Sequence, residues 1–299
     1  MASGILLLDK PEGLASFGAV RRARRALGVR KIGHLGTLDP FATGLLPLLV
    51  GEATKLAPFL LPEPKTYRAV VRLGEATDTQ DLTGRVVARS DFLPAPEQVL
   101  AAAAALVGEI EQVPPMFSAL RHQGRRLYEL ARQGEEAPRR PRRVTVYRLE
   151  VEEVALPRAT FTVTCSQGTY IRTMAADLGE ALNCGGHLIA LRRLAVGHLR
   201  VDEALPLDEM DNLSRDELLA RLVPLAQCLP GLPAAMVGAE AAHRLRQGRR
   251  IETPINGLGL GDLVRALCGD ELVAVAKVQG QAPDLMLAPV LVFVPEDGA

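Results

Sequence analysis

The 299-residue chain lacks most of what would place it in an oxidising compartment or a membrane. It has four cysteines, Cys165, Cys184, Cys228 and Cys268, with no C-x-x-C pair and no histidine at ligand spacing. That pattern argues against zinc and against a disulfide framework, and suits buried thiols in a reducing cytosol. No apolar run approaches the length of a membrane span. The apolar run before Asp9 is only Ile5-Leu6-Leu7-Leu8, too short for a signal-peptide core. A soluble, cytoplasmic protein is expected, with no metal, no cofactor and no membrane partner. Net charge is lacking too, with 35 basic and 35 acidic side chains. Hydrophobic residues, by contrast, make up 48% of the chain, enough to bury a core. The length allows one large domain plus a small one, or two of ordinary size.

The zero charge conceals a segregation. Residues 1–200 carry 27 Lys/Arg against 20 Asp/Glu, whereas residues 201–299 carry 8 against 15. Within residues 121–148 there are nine arginines and three glutamates. A local basic surface is what phosphate binding needs, although salt-bridged, solvated faces give the same composition.

Residues 4–9 read as a short buried strand ending at Pro11. Ser16 can cap a helix through Leu27, with Phe17, Val20, Ala23 and Leu27 near one face and Gly28 as the stop. Lys65–Leu73 alternates as a strand, with Tyr67, Ala69, Val71 and Leu73 on one side. Helices are expected over Pro96–Val107, Arg125–Gln133 and Thr169–Leu182, and strands over Val144–Val154, Thr160–Ser166 and Leu188–Val196. Ser214 with Glu217 makes a capping box for a helix to about Leu222. Three prolines in Pro224–Pro233 mark a boundary, and beyond it a helix (Ala239–Arg246) and short strands suggest a small β-rich module. The irregular mixture of helices and strands makes the main domain, residues 1–230, α+β, with a second unit at 233–299.

The densest chemical signal is Gly33-His34-Leu35-Gly36-Thr37-Leu38-Asp39-Pro40-Phe41-Ala42-Thr43-Gly44. Its three glycines permit close backbone approach or positive φ. Pro40 pushes Asp39 out of the helical region, so its carboxylate projects from a loop. An ordinary Asx-turn beside a loop histidine fits the same residues.

This segment resembles the catalytic motif of the TruB family of pseudouridine synthases, which modify uridine 55 in the T-arm of transfer RNA. Five further segments carry the resemblance in the family's order: Gly4–Pro11, Lys65-Thr-Tyr67-Arg68, Thr77–Asp81 with Gly84, Gly168-Thr-Tyr170-Ile-Arg172, and His187–Arg193. The resemblance implies the pseudouridine synthase fold, with a mixed, mainly antiparallel central sheet, an RNA-clamping insertion and a PUA-like C-terminal module. It implies Asp39 as the nucleophile. An aspartate with a pKa of about 3.9 is an anion at neutral pH. Attack at ribose C1′ and proton removal from C2′ both remain open.

By the same resemblance Arg172 pairs with Asp39, where a guanidinium can hold a carboxylate by two hydrogen bonds. Tyr67 lies against the target base, Leu191 walls the uracil pocket, His34 contacts RNA, and Lys10 and Tyr170 support the site. Read without the resemblance, Arg172 is a surface arginine, Tyr67 and Leu191 are core residues, and His34 is incidental. The insertion, about residues 116–143, resembles the segment by which stand-alone members clamp the T-arm. Its candidates are Arg121, Arg125, Arg126, Tyr128 and Arg132, with a mobile state expected before RNA binds. A monomer without guide RNA or protein partner is expected. The competing readings are a transfer-RNA-binding or RNA-folding protein with secondary or no catalysis, and a base deaminase. The deaminase needs a His/Cys zinc signature with a neighbouring Glu, which the sequence lacks.

Overall fold

The computed structural model describes residues 2–60, 64–118, 120–252, 257–281 and 284–294. The opening strand β1 (Gly4–Lys10) is followed by helix α1 (Ser16–Leu27), which stops at Gly28 in the left-handed region. Val20, Ala23 and Leu27 are buried, but Phe17 is 55% exposed. At 3.6 residues per turn Phe17 stands about 90° from the centre of that stripe, and Ser16 occupies the inward position instead. Ser16 is the first helical residue and does not cap; the cap position is Ala15.

Strand β2 (Thr43–Val50) was not expected from the sequence, since it is apolar on both faces and contains Pro47. Proline fits because Pro47 pairs with Leu7 while its carbonyl, on the side away from β1, accepts from Leu35 N–H. Its missing N–H therefore faces the gap between two partners, where no ladder bond is lost. Strand β3 (Lys65–Leu73) has the expected bounds. Helix α2 ends at Ala104 (Pro96–Ala104), because the next residues tighten into turns that lead to strand β4 (Gly108–Gln112).

Within the insertion, Arg125–Arg126 pairs with Arg121–His122 as a small hairpin, so helix α3 is confined to Leu127–Arg132. Strands β5 (Arg142–Ala155) and β6 (Arg158–Cys165) form an antiparallel pair. Helix α4 (Ile171–Ala181) buries Ile171, Ala175 and Leu178 on the expected stripe, and strand β7 (Gly186–Val196) follows. Helix α5 (Arg215–Ala220) carries the capping box of Ser214 and Glu217.

The main path of the central sheet runs Leu205–Pro206, β1, β2, β7, β3, β6, β5, β4. Its pairings are antiparallel except Leu205–Pro206 with β1 and β2 with β7, so the sheet is mixed and mainly antiparallel. Helices α1, α2 and α4 contribute to one apolar core with Leu6, Leu8, Leu46 and Leu48. The C-terminal module is a five-stranded sheet, β8 (Ala234–Met236), β9 (Ile251–Glu252), β10 (Leu263–Cys268), β11 (Glu271–Gln281) and β12 (Asp284–Val292), with helix α6 (Ala239–Arg246). Its Leu272, Val275 and Phe293 share a second core with Ile5, Leu7 and Leu45 of the main domain. Adjacent strand residues point to opposite faces, so Leu6/Leu8 and Ile5/Leu7 serve the two cores. No helix among the described residues is long and apolar enough to cross a membrane.

Candidate active site

Asp39 stands between two residues whose backbone is tied down. Before it, Ser16 Oγ accepts the Leu38 N–H at 2.8 Å and donates to the Leu38 carbonyl at 3.0 Å. After it, the Pro40 carbonyl accepts Gly13 N–H at 2.8 Å and Lys10 Nζ at 3.2 Å. Lys10 is wholly buried and also donates to the carbonyls of Pro11 at 2.7 Å and Leu14 at 2.8 Å. The three protons of its ammonium match those three acceptors. Burial nevertheless lowers its pKa to about 8, against the opposing pull of Asp39. The loop thus presents Asp39 from a fixed frame instead of a free Asx-turn.

Arg172, at the second position of α4, is 4% exposed and grips Asp39 side-on. Its Nε lies 2.9 Å from Oδ2 and its Nη2 3.3 Å from Oδ1. The remaining donors go to the Phe117 carbonyl at 2.7 Å and the Thr79 carbonyl at 3.2 Å. Asp81 stands behind, 3.7 Å from Nη1. Its Oδ1 accepts from Thr79 Oγ1 at 2.7 Å, Thr83 N–H at 2.9 Å and Thr83 Oγ1 at 2.6 Å. Gly84 makes this turn possible, since a Cβ there would lie 2.3 Å from Thr79 Oγ1. Asp81 is a buried charge that sequence reasoning did not assign to the site, although it lies in a motif already singled out.

A third of the Asp39 side chain stays exposed. Desolvation raises its pKa above the ordinary aspartate value, with Arg172 pulling it down and Asp81 pushing it up. The carboxylate faces a cavity of about 300 Å³ whose lining includes Tyr67, Tyr170, Leu191, Arg172 and Arg193. That is the low end of ligand-pocket volumes, ~300–1,000 Å³.

Tyr67 and Leu191 share a wall because β3 and β7 are paired. Tyr67 lies opposite Arg193, and Leu191, two residues away, points to the same face. Gly44 lets β2 approach this pair: a Cβ there would lie 2.3 Å from the Arg193 carbonyl oxygen. Tyr170 lines the cavity as the cap residue of α4, and burial raises its pKa. Its backbone is held by the buried Gln112, a residue sequence reasoning passed over. His34 stands outside the lining, on the short strand Ile32–His34, and burial lowers its pKa.

The insertion reaches the site through Phe117, Ser118 and Leu120, the last two lining the cavity. Leu127, Leu130 and Ala137 give it a small core of its own. Arg121, Arg125 and Arg126 are exposed, and Arg126 lies over the Tyr128 ring. Arg125 is held by Glu135. The side chain of Arg132 lies outside the described ones.

The family model described as "TruB family pseudouridylate synthase (N terminal domain)" matches residues 24–171. The "tRNA pseudouridylate synthase B C-terminal domain" matches residues 172–229. A curated relative from Ralstonia nicotianae, "tRNA pseudouridine synthase B", is 47% identical over 286 residues, covering 93% of this chain and 91% of its own. One of the same name from Burkholderia pseudomallei is 50% identical over 249 residues, covering 83% and 82%. Among solved structures, a chain of a Cbf5-Nop10-Gar1 complex superposes with a TM-score of 0.75 at 26% identity, over 98% of this chain and 86% of that one. A chain of an H/ACA RNP bound to a substrate RNA containing 2'-deoxyuridine gives 0.74 at 25% identity, over the same shares. Both the pseudouridine synthase fold and the motif order are accounted for, and the chain belongs to the TruB family of pseudouridylate synthases.

Proposed function

We propose that the protein isomerises uridine 55 in the T-arm of transfer RNA to pseudouridine, with Asp39 as the catalytic group. The observation that carries this reading is the Asp39 carboxylate, forked by Arg172 and open to a cavity walled by Tyr67 and Leu191. The reaction breaks the bond from ribose C1′ to uracil N1 and rejoins the base through C5. No water enters and nothing departs, so one carboxylate suffices, whereas a conventional glycosidase sets two across one bond. The other nearby carboxylate, Asp81, is turned to Arg172 and saturated by hydroxyl and amide donors, which supports the single-carboxylate reading.

The target uridine is stacked in a folded arm and must be flipped out. Unstacking costs a few kcal/mol, which stacking on the Tyr67 ring offsets. The exposed arginines of the insertion grip the phosphates and set the register of the stem without reading its sequence. The C-terminal module serves as a PUA-like RNA contact. The enzyme works in the cytoplasm as a monomer, without guide RNA or obligatory protein partner. The relatives in the 47–50% range carry the name of a transfer-RNA enzyme, "tRNA pseudouridine synthase B", which supports the transfer-RNA substrate.

Unmodified T-arm RNA incubated with wild type and with Asp39→Ala, then mapped by carbodiimide labelling, tests the assignment. Mapping is needed because the product is an isomer of uridine with the same mass. The wild type makes pseudouridine at one position, and the variant binds RNA without forming product. Product from the variant removes Asp39 from its role.

A further inference from the structure

Arg193 is a buried cation with no described carboxylate beside it. It is 1% exposed, and its Nε donates to the Leu45 carbonyl at 2.7 Å and its Nη2 to the Gly36 carbonyl at 3.1 Å. Directly across the β3–β7 ladder it faces Tyr67, and both side chains line the cavity. A guanidinium buried without a counter-ion is costly, by several kcal/mol, and persists where its hydrogen bonds are all made. Sequence reasoning placed it in the His187–Arg193 motif without giving it a role.

A guanidinium has donors and no acceptor. Facing Tyr67 it can therefore only donate, so the phenolic proton must point away from Arg193. Tyr67 is buried in the sheet face and lines the cavity. We infer that Arg193 is a positioning residue for Tyr67: anchored on Leu45 and Gly36, it fixes the ring plane and commits the hydroxyl to donate into the cavity, toward an acceptor oxygen of the bound nucleotide. The anchor is rigid because β2 reaches Arg193 only through Gly44, and because Gly36 belongs to the same loop as Asp39. Tyr67 and Asp39, both lining the cavity, are thereby held in one frame. The cation also works against the upward push that burial exerts on the Tyr67 pKa.

The inference rests on the proposed reaction, and a double-mutant cycle tests it in full-length protein. Single-turnover pseudouridine formation at saturating T-arm RNA is measured for wild type, Tyr67→Phe, Arg193→Lys and the double variant, with RNA affinity from filter binding. Each single change slows the chemical step by ~10-fold or more, and the double variant stays within ~2-fold of the slower single. Affinity stays within ~2-fold throughout. A structural role for Arg193 gives multiplied losses, ~100-fold in the double variant, and overturns the inference. Arg193→Gln takes the same place in the cycle where the lysine variant does not fold. Tyr67→Phe at the wild-type rate overturns it without any Arg193 variant. A wild type that makes no pseudouridine overturns the functional reading, and this inference with it.

Discussion

The side-chain amide of Gln112 closes on both backbone groups of Tyr170, accepting its N–H at 3.0 Å and donating to its carbonyl at 3.2 Å. Gln112 ends β4, just before the insertion, and Tyr170 is the cap residue of α4, two positions before Arg172. No side chain of α4 caps its own start, so the amide holds the turn from which Arg172 projects. Gln112→Ala leaves a donor and an acceptor without their partner and costs about 1–3 kcal/mol in urea unfolding. With Arg172 less well aimed, the single-turnover rate falls ~10-fold while RNA affinity holds within ~2-fold. An unchanged rate in a destabilised variant separates the scaffold role from the catalytic one.

In the proposed reaction Asp39 has to be ionised to act, and burial makes it hold its proton more firmly than a free aspartate. As pH falls, kcat/KM therefore drops through a value above the ordinary aspartate pKa of about 3.9. Arg172 opposes that rise, so Arg172→Gln moves the acid limb to still higher pH. A carboxyl whose pKa is raised on folding lowers stability above that pKa, and the cost disappears as pH falls through it. Asp39→Asn, uncharged yet still able to accept from Arg172, then melts no lower than wild type at pH 8 while losing activity. A large fall in its melting temperature would show that the ion pair is chiefly structural.

Lys10 sets the other limb. Its pKa falls from 10.5 to about 8 on folding, and the neutral amine has two protons for three carbonyls. The Pro40 bond is the longest of the three, so the strap next to Asp39 loosens first. The rate therefore declines as pH rises through about 8. Stability moves the opposite way, because the unfolded chain binds this proton more tightly and stability increases with pH between about 8 and 10.5. Rates and melts recorded across pH 7–10 show the two trends diverging. Lys10→Arg, which does not deprotonate in this range, removes the alkaline limb where it folds.

Period and punctuation made β3, α6 and the α1 stop legible, since alternation and a terminal glycine are local signals. The Asp39 loop and its pairing with Arg172 were legible through motif order. Strand β2 was hidden because a strand buried on both faces shows no alternation and Pro47 breaks the run. Ser16 read as a cap, yet its hydroxyl serves Leu38, 22 positions away. Asp81 and Arg193 lie in motif segments and Gln112 outside them, and none of the three carries a local signal of its role. Only register and burial reveal that Gln112 holds Tyr170, that Asp81 stands behind Arg172 and that Arg193 faces Tyr67.

The insertion presents its arginines unequally. Arg125 is engaged by Glu135 and Gln133, whereas Arg121 donates to its own hairpin at Gly124 and Arg126 lies over Tyr128, leaving both charges facing solvent. Phosphate binding releases counter-ions, so each lost contact lowers the slope of log affinity against log salt by ~0.7–0.9. Arg121→Gln and Arg126→Gln each flatten that slope by about one contact and weaken T-arm binding, with the rate on saturated complex unchanged. Arg125→Gln does less, because its charge is already shared with Glu135. Since Phe117 accepts from Arg172, docking of the insertion and alignment of the Asp39–Arg172 pair are linked. T-arm RNA therefore protects residues 116–143 from limited proteolysis in the wild type and protects them less in Arg172→Gln. Equal cutting with and without RNA would mean that the insertion neither orders on the stem nor communicates with Asp39.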